Sequence, residues 1–306
     1  MSSAPLPDAP PSNWVDRFAP PGLRPWLRLG RFDRPAGTWL LLLPGWQAIA
    51  LAGAMAGRAP DLRLIVLFAV GSAVMRAAGC AYNDIVDRDL DAKVARTAMR
   101  PIPSGQISLK GAWAFLVGCS LVGLAILLTM HPLAIGLGVF SLGLVAGYPF
   151  MKRVTWWPQA WLGLTFNWGA PLGFAAASGT LGWPAGLLYA SGIFWTLGYD
   201  TLYAVQDLED DALAGVKSSA RRLGAAAPGA IRAFYLVCAA LALAAGAVAG
   251  LGPLFYGLWL LFAAHLMMQC GRIRLDDPAR ALALFKSNRD AGLILFAAFA
   301  LGAWPL

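Results

Sequence analysis

The sequence predicts an all-α integral membrane protein of about nine transmembrane helices, with its N-terminus on the cytoplasmic side. Three observations carry that expectation. Of 306 residues, 58% are hydrophobic and only 13% are charged, too little polar surface for an ordinary soluble domain. The apolar residues fall in runs of about 20, the length a helix rising 1.5 Å per residue needs to cross a hydrocarbon core about 30 Å thick. Finally, Lys and Arg gather on alternate connections between those runs.

In chain order the predicted spans lie at about 37–57, 62–82, 110–130, 132–150, 159–178, 184–205, 232–251, 254–270 and 290–305, the last two being short. Arg17, Arg24, Arg28, Arg31 and Arg34 precede the first. Arg88, Lys93, Arg96, Arg100 and Lys110 follow the second, and Lys152 and Arg153 follow the fourth. Lys217, Arg221, Arg222 and Arg232 follow the sixth, and Arg272, Arg274, Arg280, Lys286 and Arg289 the eighth. Of the 24 Lys and Arg residues only Arg58, Arg63 and Arg76 lie elsewhere, Arg76 inside span two. By the positive-inside rule the even-numbered spans end in the cytoplasm.

The net charge of +8 is therefore mostly topological. It argues against a nucleic-acid partner and fits anionic headgroups of the bilayer or a phosphate-bearing substrate. Residues 1–25, Pro-rich and without an apolar signal core, read as a mobile cytoplasmic tail. Residues 26–306 form the membrane domain. Cys80, Cys119, Cys238 and Cys270 have no metal or disulfide spacing, and His131 and His265 have no ligand partner, so packing roles are expected for all six.

Charge is scarce along the chain, yet "NDIVDRDLD" places four aspartates and an asparagine where span two ends. With Asp84 at 0° and about 100° per residue, Asn83 falls near 260°, Asp87 near 300° and Asp91 near 340°, an arc of about 100°; Asp89 points away near 140°. A second run, "YDTLYAVQDLEDDALAGVKSSARR", ends span six. There Asp200, Tyr203, Asp207, Asp210 and Asp211 share a face by the same construction. Carboxylates stacked at these spacings repel one another. Divalent cations remove that conflict, because Mg²⁺ takes oxygen ligands and typically combines one or two carboxylates with phosphate oxygens and water. Two clusters at one mouth of a bundle suit two such ions bridged by a diphosphate. The plainer alternative is surface ion pairing with the interleaved Arg88 and Arg96.

These stretches bear a family resemblance. "GCAYNDIVDRDLDAKVARTAMRPIPSG" resembles the first signature of the UbiA superfamily of intramembrane prenyltransferases, and "YDTLYAVQDLEDDALAGVKSSA" resembles the second. "RFDRPAGTWLLLLPGW", "YPFMKRVTWWPQ" and "FKSNRDAGLIL" are similar to the branch whose acceptor is 4-hydroxybenzoate. The likeness runs from about residue 28 to the end. Ser219 stands where threonine is common, a small departure.

The resemblance implies nine spans around a central cavity open to lipid. It also implies Mg²⁺-dependent transfer of a prenyl chain from a polyprenyl diphosphate to an aromatic ring, here 4-hydroxybenzoate in ubiquinone synthesis. Carried over, the first metal motif falls on Asn83, Asp87 and Asp91, with Asp84 beside them, and the second on Asp207 and Asp211.

A lipid-soluble tail with a water-soluble diphosphate belongs at a membrane boundary. Arg88, Lys217 and Arg153 are candidates to meet the diphosphate, and Tyr203 and Asp200 to line the site. Arg153 is the first choice for the acceptor carboxylate, since a guanidinium grips one in bidentate fashion; Arg34 and Arg76 compete for that role. Tyr148, Trp161, Phe166 and Trp168 are candidate cavity walls against an allylic cation. The proton acceptor is left open among Asp84, Asp200 and the leaving diphosphate. "KVARTAMRPIPSG", broken by Pro101 and Pro103, is expected to cap the diphosphate site.

Two other readings remain. The acceptor could be homogentisate, dihydroxynaphthoate or haem, and an acid-lined bundle could instead conduct divalent cations. The latter needs acids near the midplane, whereas these cluster at one mouth. The composition suits a cell inner membrane with the site facing the cytoplasm, ahead of a mitochondrial inner membrane.

Overall fold

A computed structural model describes residues 13–93, 97–206, 208, 215 and 217–303. All regular structure among them is helical. The helices are α1 (Trp14–Phe18), α2 (Arg24–Leu29), α3 (Ala36–Met55), α4 (Leu62–Asp91), α5 (Leu109–Leu127), α6 (Pro132–Val154) and α7 (Pro158–Phe166). There follow α8 (Gly169–Ser178), α9 (Trp183–Val205), α10 (Ser219–Leu223), α11 (Ala227–Val248), α12 (Pro253–Cys270) and α13 (Pro278–Leu301).

Six of the described helical segments are long and apolar enough to cross a membrane: Ala36–Met55, Leu62–Asp89, Leu109–Leu127, Pro132–Val154, Ser219–Val248 and Pro253–Cys270. The other three expected spans are helical but differ in kind. The fifth is broken into α7 and α8 at Asn167 and Trp168. The sixth, α9, faces protein along much of its length, burying Trp195, Tyr199, Leu202 and Val205, so its Gly, Thr and Tyr residues need not suit lipid. The ninth overlaps the second half of α13, which begins at Pro278, ends at Leu301 and carries Lys286, Arg289 and Asp290.

The chain divides into two compact units, Met1–Trp39 with Ala69–Thr129, and Leu40–Phe68 with Met130–Leu306. In the first, Asn13 caps α1 by accepting from the Asp16 N–H, and Asp16 pairs with the buried Arg28 of α2 at 2.7 Å. Leu29, Ala81, Ile85, Ile107 and Ala112 form its core, with Trp26, Ile102, Phe115 and Leu116 packed around them. Ile102 and Ile107 thereby fasten the loop after α4 to the end of that helix. The loop folds back further. Thr97 Oγ1 donates to the Asp91 carbonyl at 2.8 Å, and Ile107 N–H to the Pro101 carbonyl at 2.9 Å. Ser108 then starts α5 by accepting from the Gly111 N–H.

In the second unit α9 is the hub, packed against α7, α8, α10, α11 and α13. α3 and α8 approach through small residues; a Cβ on Gly173 would stand 2.7 Å from the Gly45 carbonyl oxygen. The core also carries a polar network. Trp195 Nε1–H donates to Asn288 Oδ1 at 2.8 Å, and Tyr235 OH lies 3.2 Å from the same oxygen and 3.1 Å from Gln269 Oε1. Asn288 Nδ2 donates to Gln269 Oε1 and to the Leu284 carbonyl. Most of these groups satisfy one another, which is how an apolar interior tolerates them, while Gln269 Nε2 meets no acceptor among the described residues. His131 accepts from the Leu133 N–H as the N-cap of α6, a structural role as expected, and the four cysteines are free.

Candidate active site

The cytoplasmic expectation for the first acidic run rests on α4, and the structure continues that helix unbroken from Leu62 to Asp91. The helix carries Asn83, Asp84, Asp87 and Asp91 within the first unit. Asp84, Asp87 and Asp91 are buried at 1%, 5% and 6% exposure. Asp89 is exposed, as helical spacing predicts, and pairs with Arg88 at 3.3 Å. Arg88 is exposed as well.

Two arginines from outside the helix reach the acids. Arg31 Nη2 lies 2.6 and 2.9 Å from the two carboxylate oxygens of Asp84, and Arg31 Nη1 donates to the Arg28 carbonyl. Arg100 Nη1, on the loop after α4, lies 2.9 Å from Asp91 Oδ2 and 3.5 Å from Asp84 Oδ1. Asp84, a candidate proton acceptor by sequence, therefore has its carboxylate engaged by two guanidinium groups. Burial pushes the Asp91 carboxyl above its ordinary range; Arg100 pulls it down, while Asp84 and Asp87 push it up again, and the net direction is up.

Arg31 is the residue that sequence reasoning missed, having counted it only as topological charge. Its φ of 59° makes it the one non-glycine residue with positive φ among those described, a conformation costing roughly 1 kcal/mol or more for a side-chain-bearing residue. The reason is local. Phe32 N–H bonds to the Leu27 carbonyl and Arg31 N–H to the Arg28 carbonyl, which is the Schellman ending of α2 with Arg31 where glycine is usual.

The residues of the first unit suit a Mg²⁺-type cation. Asn83 Oδ1 is buried and meets no hydrogen-bond donor among the described residues, an oxygen available to a hard cation. Among the described residues no three His, Cys, Asp or Glu side chains converge to hold a metal by themselves. An amide oxygen with one or two carboxylates is a partial sphere, to be completed by phosphate and water.

Asp207 and Asp211, the ligands expected from the second run, lie outside the described residues, as does Arg96. In the second unit Asp200 and Tyr203 are half-buried near the end of α9, and the Tyr203 ring lies 4.8 Å from that of Phe285. Thr201 Oγ1 and Ser219 Oγ, near the two ends of the second run, are 2.7 Å apart, and Ser219 N–H donates to Gln159. Lys217 N–H bonds to the Lys152 carbonyl and its Nζ to that of Val154, which ties it to the last turn of α6. Arg153, on that turn, is exposed. Trp161 and Trp168 donate to the carbonyls of Leu144 and Leu137 on α6, so both indoles help fasten the broken span.

A family model described as the UbiA prenyltransferase family matches residues 41–304. The chain is 46% identical over 279 residues to a protein of Aedes aegypti named 4-hydroxybenzoate polyprenyltransferase, mitochondrial, covering 91% of this chain and 63% of that one. A Bos taurus protein of the same name is 45% identical over 289 residues, covering 94% and 78%. The chain thus spans less than two thirds of the mosquito relative's length. The solved structure of a UbiA homolog from Aeropyrum pernix K1 has TM-score 0.70 at 27% identity, covering 85% of this chain and 96% of that one. A UbiA homolog from Archaeoglobus fulgidus bound to GPP and Mg²⁺ has TM-score 0.66 at 19% identity, covering 89% and 99%.

The mitochondrial names of these relatives overturn the expectation of a cell inner membrane with a cytoplasm-facing site. They favour the mitochondrial membrane that the sequence reading ranked second. The physical reason is simple: a Lys and Arg bias identifies one side of a bilayer, not which bilayer it is.

Proposed function

This chain belongs to the UbiA prenyltransferase family, and we propose that it transfers a polyprenyl chain from a polyprenyl diphosphate to 4-hydroxybenzoate. The new bond forms at the ring carbon ortho to the hydroxyl, giving 3-polyprenyl-4-hydroxybenzoate for ubiquinone synthesis. The observation that carries the reading is the pair of buried carboxylates Asp87 and Asp91 beside the buried amide oxygen of half-buried Asn83, at the end of a helix long and apolar enough to span a membrane. The names of the relatives support the acceptor.

We assign the metal ligands to Asn83, Asp87 and Asp91 of the first run and Asp207 and Asp211 of the second, holding two Mg²⁺ ions with one diphosphate. The archaeal homolog bound to GPP and Mg²⁺ supports divalent-metal use. When bound, Mg²⁺ neutralises the diphosphate and stabilises the charge that develops on it as the C–O bond breaks. Arg100 and Lys217 add positive charge around the leaving group. Apolar and aromatic side chains receive the prenyl tail and keep water from the allylic centre. Electron donation from the phenol oxygen directs attack to the ortho carbon, whose proton then leaves to a carboxylate or to the departing diphosphate. Arg153 is assigned to the acceptor carboxylate.

The test is direct. Membranes containing the protein are incubated with 4-hydroxybenzoate, a polyprenyl diphosphate and Mg²⁺, then again with EDTA, and the products are read by mass spectrometry. Prenylated 4-hydroxybenzoate only in the presence of the metal is expected. Prenylation of another ring, or none with Mg²⁺ present, would refute the assignment.

A further inference from the structure

We propose that Arg31 is a positioning residue for the metal-ligand end of α4, acting through Asp84 on Arg100 and so on Asp91. The proposal rests on the assignment of Asp91 as a metal ligand.

The backbone argument comes first. Position 31 ends α2 in the left-handed conformation, φ 59°, where glycine is the usual residue and any side chain is strained. A glycine is present one place earlier, at Gly30, with an ordinary φ of −76°. The chain therefore places an arginine where the fold would be easier without a side chain. Strain of this kind persists where the side chain has work to do.

The side chain's contacts say what that work is. The guanidinium is 9% exposed and grips a carboxylate 1% exposed, 53 residues away in sequence, with one nitrogen at 2.6 and 2.9 Å from its two oxygens. Its other terminal nitrogen is held by the Arg28 carbonyl at 3.0 Å, and Arg28 is itself fixed by Asp16. Asp84 is thus clamped from the N-terminal segment, and its Oδ1 in turn stands 3.5 Å from Arg100 Nη1, which also lies 2.9 Å from Asp91 Oδ2. The order of contact is Arg31, Asp84, Arg100, Asp91. Asp84 and Arg31 touch no ligand on this account. They set where Arg100 stands, and Arg100 sets which oxygen of Asp91 is engaged. Partners one step outside a metal's ligands alter affinity by about 10–100-fold when removed.

Arg31→Ala would leave Asp84 buried without its main counter-charge and risks misfolding. The informative variant is the double Arg31→Gly, Asp84→Asn, which relieves the backbone and leaves no orphaned carboxylate. Mn²⁺ binding to the purified full chain is measured by the EPR signal of free ion, in the presence of inorganic diphosphate. Melting temperature is followed alongside. The proposal expects Mn²⁺ half-saturation to rise about tenfold or more, with a melting temperature close to that of the parent. Wild-type Mn²⁺ affinity in the folded double variant would overturn it and leave Arg31 a merely structural clamp. Asp91→Asn separates the two levels. If Asp91→Asn loses Mn²⁺ affinity while the double variant keeps it, only the positioning role fails. If Asp91→Asn also binds Mn²⁺ as the parent does, the metal assignment fails and the positioning role falls with it.

Discussion

Arg100 Nη1 stands 2.9 Å from Asp91 Oδ2, so a loop residue already covers one oxygen of a carboxylate assigned to metal. On the proposed reading this guanidinium keeps its hold on Asp91 and adds positive charge for the diphosphate. Arg100→Gln is expected to raise the KM for polyprenyl diphosphate about 10-fold or more, the scale of a lost charge-assisted hydrogen bond. The KM for 4-hydroxybenzoate should not change. Initial rates at fixed Mg²⁺ read both, and an unchanged diphosphate KM would remove the capping role of this loop.

Asn288 is expected to matter for stability. It accepts from Trp195 and bonds to Gln269, all three side chains being buried. Asn288→Leu strands the indole N–H in an apolar interior, at roughly 1–3 kcal/mol for each buried group left unpaired. The melting temperature in detergent should fall by several degrees. An unchanged value would mean the network does not stabilise the second unit.

Gly173→Ala tests the close approach of α3 and α8. The added Cβ would meet the Gly45 carbonyl oxygen at 2.7 Å, a backbone atom that cannot rotate away. Overpacking of this sort costs about 1–3 kcal/mol. Gly143→Ala, whose Cβ meets nothing within 4 Å, is the matched control and should be neutral or slightly stabilising. Equal melting temperatures for the two variants would contradict the packing described.

The helix positions were legible because a hydrocarbon core imposes a minimum apolar length, and eight of the expected spans correspond to single helices. Two features were not. The break at Asn167 involves a partner remote in sequence: its Nδ2 donates to Thr196 Oγ1, 29 residues on, as well as to the nearby Gly163 carbonyl. α9 tolerates Thr196, Tyr199 and Thr201 because they lie against protein, which no apolar-run criterion can anticipate. At the site, periodicity correctly turned Asp89 outward. It could not pair Asp84 with Arg31, because helical spacing relates residues on one helix and these are 53 apart. Arg88 lies only about 40° from Asp84 around the helix, yet its side chain runs outward to Asp89.

Removal of single carboxylates tests the central claim most directly. Asp87→Ala and Asp207→Ala, one from each acidic run, are each reconstituted with polyprenyl diphosphate, 4-hydroxybenzoate and Mg²⁺, and product is measured over time. The account predicts that each variant inserts and folds like the parent and forms no detectable 3-polyprenyl-4-hydroxybenzoate. Parent-like product formation by either one would contradict it.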